Sequence, residues 1–144
     1  MNLIQQADMS YALARDLLDA VQAECARRGL RLAAAVVDRG GNVVTAFRMD
    51  GAQLGALSLA TDKAFTAVSF GHPTSAWVEC SAPGGTDWGL GTTLGGRAII
   101  FPGGIPLFAG GELIGALGVS GTASLVDEQC ALAAAQANGL EASR

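Results

Sequence analysis

Residues 105–119 read Ile-Pro-Leu-Phe-Ala-Gly-Gly-Glu-Leu-Ile-Gly-Ala-Leu-Gly-Val, two apolar β-prone runs separated by Gly110-Gly111. A two-glycine loop between such runs suits a primed hairpin turn, whose central residues need positive φ. Ile105–Ala109 and Glu112–Val119 are therefore predicted to be paired antiparallel strands. The same logic works upstream. Leu32–Val37 and Val43–Phe47 are short apolar runs flanking Asp38-Arg-Gly-Gly-Asn42, a stretch of turn chemistry, and they read as a second hairpin. Arg97–Phe101 is a further strand candidate.

The remaining segments carry helical spacing. Leu13, Leu17, Leu18, Val21 and Cys25 recur at three- and four-residue intervals among Arg15, Asp16, Asp19 and Glu24, which predicts a helix over residues 8–28. Asp8 or Ser10 can cap its start, and Gly29 stands where a left-handed terminal residue belongs. Ala52–Phe70 predicts one long helix or two short ones, stopped by Gly71-His-Pro73, and Thr74 can cap a further turn through Trp77. Ser124 or Asp127 opens a closing helix that runs to Asn138. Cys80–Gly104 holds eight glycines in twenty-five residues and reads as a long ordered loop; in a compact domain such a loop is usually functional or mobile. Within it Gly89-Leu-Gly91-Thr-Thr-Leu-Gly95 misses dinucleotide-binding spacing by one residue and follows no clear strand. Strands grouped in hairpins between helices point to an α+β domain with an antiparallel sheet, not to a wound parallel sheet.

At 144 residues the chain is sized for a single domain spanning 1–144. Half of it is hydrophobic and only 15% is charged, which excludes intrinsic disorder. The longest run without Asp, Glu, Lys or Arg is fifteen residues, Ala64–Val78, short of the roughly 20 a membrane-spanning helix needs. The opening residues lack a basic and apolar leader pattern, so a cytoplasmic location is expected. A net charge of −4 with no block of Lys or Arg speaks against a nucleic-acid partner. So apolar a chain with so few charges is expected to cover apolar surface in a homo-oligomer. Cys25, Cys80 and Cys130 form no C-x-x-C motif and read as free buried thiols rather than a disulfide framework or zinc site.

Six segments, in order, are similar to one family: Ala35-Val-Val-Asp38 with Gly40-Gly-Asn42, Phe47-Arg-Met-Asp-Gly-Ala52, Asp62-Lys-Ala-Phe-Thr-Ala67, Pro73-Thr74, Pro102-Gly-Gly-Ile-Pro-Leu107, and Gly115-Ala-Leu-Gly-Val-Ser-Gly121 followed by Asp127. Together they resemble the GlcG/HbpS family, which includes the C-terminal domain of PduO. The resemblance runs from about residue 10 to 138. It implies a profilin-like fold, assembly into a dimer, tetramer or octamer, and, for some members, haem binding or degradation. Others accompany catabolic enzymes as accessory proteins.

Beside that resemblance, individual residues carry chemistry. Lys63 sits among Leu59, Ala60, Ala64 and Ala67, an apolar setting in which an ammonium must pair with a carboxylate such as Asp38, Asp50 or Asp62, reach a ligand anion, or lose its proton. The family's Lys-Ala motif points to a ligand site. Arg48 and Asp50 flank Met49 at the exit of a hairpin strand, so alternation puts both on one face, and Arg48 serves Asp50, another subunit or a haem propionate. Asp38, before two glycines, is read either as a turn acceptor or as a ligand contact. Gly103-Gly104 permits close backbone approach and an anion-binding nest; the alternative is a tight connection. Thr74, Ser120 and Asp127 either line the same pocket or cap local structure. His72 is the only histidine, which rules out bis-histidine ligation of haem within one chain; it reads either as an unremarkable loop residue or as an axial ligand acting alone or opposite its symmetry mate, with Met49, Tyr11 or Cys80 as stand-ins.

These residues support a small-molecule-binding protein whose ligand is haem or another flat, anionic, largely apolar molecule. A second reading is a cofactor-independent isomerase or lyase using Lys63 or Asp50 as base, with a glycine-rich backbone stabilising an enolate. A third is a non-catalytic partner of an enzyme or sensor.

Overall fold

The computed structural model describes residues 1–144. Its elements are α1 (Tyr11–Arg28), β1 (Ala33–Asp38), β2 (Val43–Arg48), α2 (Ala56–Phe70), β3 (Gly104–Ala109), β4 (Glu112–Ser120) and α3 (Ser124–Ala137). Short 3-10 turns lie at Thr74–Trp77, Leu90–Thr92 and Leu94–Gly96. The four strands form one antiparallel sheet in the order β2-β1-β4-β3, the expected α+β architecture. No helix is long and apolar enough to cross a membrane.

The Leu32–Val37 run is apolar at every position because β1 is central and covered on both faces. Ala34 and Val36 join Leu117, Val119, Ile105 and Leu107 in the main core against Leu17, Val21 and Cys25 of α1 and Cys130 and Ala131 of α3. On the other face Ala33 and Ala35 meet Ala56 and Ala60 of α2, and Val37 meets Ala64 and Ala67. This α2 interface is built from small residues because the helix lies close to the sheet. A Cβ placed on Gly118 of β4 would fall 1.9 Å from the carbonyl oxygen of Ala60.

Local chemistry sets the boundaries. The Ser10 hydroxyl accepts from the Leu13 N–H at 3.1 Å, capping α1, while Asp8 instead accepts from the N–H of Arg39. Gly29 and Gly71 end α1 and α2 in the left-handed region, at φ 68° and 71°. Gly110 and Gly111 turn between β3 and β4 at φ 57° and 82°, as a primed hairpin requires.

Four expectations are corrected. Arg97–Phe101 forms no strand. The Thr66 hydroxyl accepts from the Ile99 N–H (3.0 Å) and shares its hydrogen between the carbonyls of Asp62 and Arg97, so a side chain occupies backbone groups that a ladder would need. Arg97 is held by Asp62 at 2.9 Å and stacks 3.7 Å above the Phe65 ring. Thr74 does not cap its turn; its Oγ1 accepts from the N–H of Gly104 on β3 at 3.0 Å. Neither Ser124 nor Asp127 caps α3, which starts from Ala123 without a side-chain cap. Cys25 and Cys130 are free and buried, but Cys80 is only half-buried, on the glycine-rich segment.

Candidate functional site

Lys63, near the middle of α2, is 1% exposed. Its Nζ donates to the Val119 carbonyl at 2.9 Å and to Asp127 Oδ2 at 3.0 Å, and it lies 5.3 Å from the centre of the Phe101 ring. The other oxygen of Asp127 accepts from the Thr122 N–H at 3.1 Å. The partner is thus Asp127, sixty-four residues away, and not Asp38, Asp50 or Asp62. Burial pushes the Lys63 ammonium below its ordinary range and the Asp127 carboxyl above its own, and the attraction between the two opposes both displacements. Both groups keep hydrogen bonds, so the charges are compensated inside the protein.

The glycines expected to admit a ligand admit this lysine. A Cβ on Gly103 would stand 2.5 Å from Lys63 Nζ, and one on Gly104 would stand 2.2 Å from the Lys63 carbonyl oxygen. Gly103, Gly104, Thr74 and Ser120 are all buried. Together with Lys63 and Asp127 they tie α2, β3, β4 and α3 at one end of the sheet. The signal that could have identified Asp127 was its place on the apolar stripe of α3, three, four and seven residues before Cys130, Ala131 and Ala134. A carboxylate on a buried stripe must find a cation.

Asp38 is the turn acceptor of the β1–β2 hairpin: its Oδ1 accepts from the Asn42 backbone N–H at 2.9 Å and the Asn42 side-chain amide at 3.2 Å. Arg48, at the end of β2, and Asp50 make no ion pair with each other. Both line an open cleft of about 530 Å³ with Gln22, Arg31, Phe47 and Met49. Lys63 and Asp50, the two expected bases, are therefore not brought together.

His72 follows the left-handed Gly71 and is half-buried in an aromatic cluster. Its ring centre is 6.1 Å from that of Phe70 and 4.8 Å from that of Trp77, and Phe70 and Trp77 meet edge-on at 5.0 Å. His72 Nδ1 lies 3.0 Å from the Pro73 carbonyl oxygen, which can only accept. With Nδ1 as the donor of this contact, Nε2 is the ring nitrogen left for a metal to take. The Trp77 Nε1 donor is buried and has no partner. Phe70 also lines a second pocket of about 360 Å³ with Val68, Phe108, Leu113 and Arg144, whose guanidinium lies 5.6 Å from the centre of the Phe108 ring. Arg144, at the chain's end, carries no sequence signal of a ligand group.

A family model described as haem-degrading protein HbpS-like matches residues 9–136. A 15.0 kDa protein in the dhaT-dhaS intergenic region of Citrobacter freundii is 36% identical over 122 residues, covering 84% of this chain and 86% of that protein. The Klebsiella pneumoniae protein ORFY superimposes with a TM-score of 0.92 at 33% identity, over 96% of this chain and 97% of that one. A crystallised complex of PduOC with haem superimposes with a TM-score of 0.91 at 29% identity, over 96% and 100%.

Proposed function

Since the chain belongs to the family of HbpS-like haem-degrading proteins, we propose that it is a haem-type small-molecule-binding protein with His72 as its ligating residue. The observation that carries this reading is the 3.0 Å contact of His72 Nδ1 with the Pro73 carbonyl, which leaves Nε2 as the ring nitrogen free to ligate. The surroundings fit the group. Phe70 and Trp77 supply aromatic faces, the neighbouring pocket is walled by Val68, Phe108 and Leu113, and Arg144 supplies a cation for a propionate. The relative crystallised with haem has the same fold over 96% of this chain. Bound haem would contribute iron as a redox centre; the chain's own part is to hold the imidazole in one tautomer and keep an apolar wall beside it.

Haem titration of the purified protein is expected to give a shifted, saturable Soret band that reverts to the free-haem spectrum in His72→Ala. An unshifted spectrum from folded protein defeats the reading, and a band that survives in His72→Ala removes His72 from it. Light scattering on the same samples tests self-association. That expectation is supported by exposed Leu54, Trp88 and Leu125, which are 86%, 68% and 66% accessible; a mass of 14.5 kDa would show a monomer.

A further inference from the structure

The cleft at the end of β2 is remote from His72. The pocket beside Phe70 is at the β3–β4 turn end of the sheet, with Phe108 and Leu113, whereas the cleft is where β1 begins and β2 ends. In it the turn after β2 gathers two guanidiniums. Gly51, at φ +78°, leaves room that Arg31 occupies: a Cβ there would stand 2.6 Å from Arg31 Nη1 and 3.1 Å from its Cδ. Arg48 Nη1 is 3.5 Å from the carbonyl oxygen of the next residue, Ala52, and that turn is closed by the Ala52 N–H on the Met49 carbonyl at 3.1 Å. Two permanent cations thus sit beside consecutive backbone positions.

No carboxylate oxygen lies within 4.0 Å of either guanidinium, although the chain carries a net charge of −4 and Arg27, Arg28 and Arg97 all have such partners. Like charges that share a cleft and are not ion-paired repel, and an oxyanion with two acceptor edges relieves that repulsion. The remaining lining limits the ligand. Phe47 and Met49, half-buried against the main core, are the apolar part of the lining, and the Asp50 carboxylate together with two guanidiniums leaves the cleft one positive charge in excess.

We infer that this cleft is a binding site for a small organic monocarboxylate, its carboxylate between Arg31 and Arg48 and its carbon body on Phe47 and Met49. The site does not depend on haem binding.

The test is an amide proton–nitrogen NMR titration with sodium butyrate, against butyramide as the uncharged analogue and sodium chloride as the ionic-strength control. Butyrate is expected to move the Met49, Gly51 and Ala52 amides saturably, with butyramide and chloride leaving them in place. Arg31→Gln and Arg48→Gln are each expected to weaken binding at least tenfold, consistent with loss of a charge-assisted hydrogen bond, and the double variant to abolish it. Both side chains are exposed, and the dispersion of the remaining resonances certifies the fold in the same spectra. A response equal to that of chloride, or one unchanged in the double variant, overturns the inference. His72→Ala is expected to bind butyrate as the parent does, which separates this result from that of the haem titration; loss of butyrate binding there would overturn the independence of the two sites.

Discussion

Lys63→Met lowers the free energy of unfolding by about 3–5 kcal/mol, as expected when one partner of a buried ion pair is removed and the other charge is left without compensation. The methionine replaces most of the lysine's bulk, so the loss is electrostatic and not a matter of cavity formation. Asp127 would keep only backbone N–H donors, that of Thr122 among them. For a domain of this size each kcal/mol displaces the melting temperature by about 2–4 °C, so a fall of about 10 °C is expected by calorimetry or circular dichroism. Adding Asp127→Asn removes the stranded charge while retaining an acceptor for Thr122, and the double variant is expected to regain a large part of the loss. A Lys63→Met protein as stable as the parent would show that the pair contributes nothing to holding α2 and α3 at the end of the sheet.

Gly118→Ala is expected to be comparably damaging for a steric reason. The added Cβ would fall 1.9 Å from the Ala60 carbonyl oxygen and 2.7 Å from the Ala64 nitrogen. Both are backbone atoms of α2, so no side-chain rotation relieves the overlap, and the helix must lift off the sheet. Overpacking ordinarily costs about 1–3 kcal/mol, and a rigid main-chain contact belongs at or beyond the upper end. Gly110→Ala makes the comparison: nothing lies within 4 Å of its Cβ, and at φ +57° it carries only the left-handed penalty of about 1–2 kcal/mol. Urea denaturation of the two variants separates the cases. Equal stabilities would mean that α2 does not lie this close to β4.

The two hairpins, α1, α2 and α3 were legible because their determinants are local. Alternation, helical spacing and turn glycines act over a few residues, and at Gly110-Gly111 they required the positive φ that the structure shows. Arg97–Phe101 was not legible. Its residues are as β-prone as those of β3, and what decides their conformation is the Thr66 hydroxyl on α2, a tertiary partner thirty-three residues from Ile99. The identity of Lys63's partner was hidden for the same reason. Composition and spacing required that a buried ammonium be compensated, but the pairing of β1 with β4 and the packing of α3 chose Asp127 over three nearer carboxylates.

His72 stood out in the sequence as the only imidazole, whereas its tautomer depends on a carbonyl placed by the fold. Arg31 gave no sign at all, because an arginine between a helix and a strand looks like any surface charge until Gly51 is brought against it. What the sequence by itself determined was the three helices, the two hairpins and the need for compensation at Lys63, all consequences of short-range stereochemistry and desolvation. Only the tertiary structure decided which groups meet, since a hydrogen bond or ion pair between residues far apart in the chain depends on ångström-scale placement that no local pattern encodes.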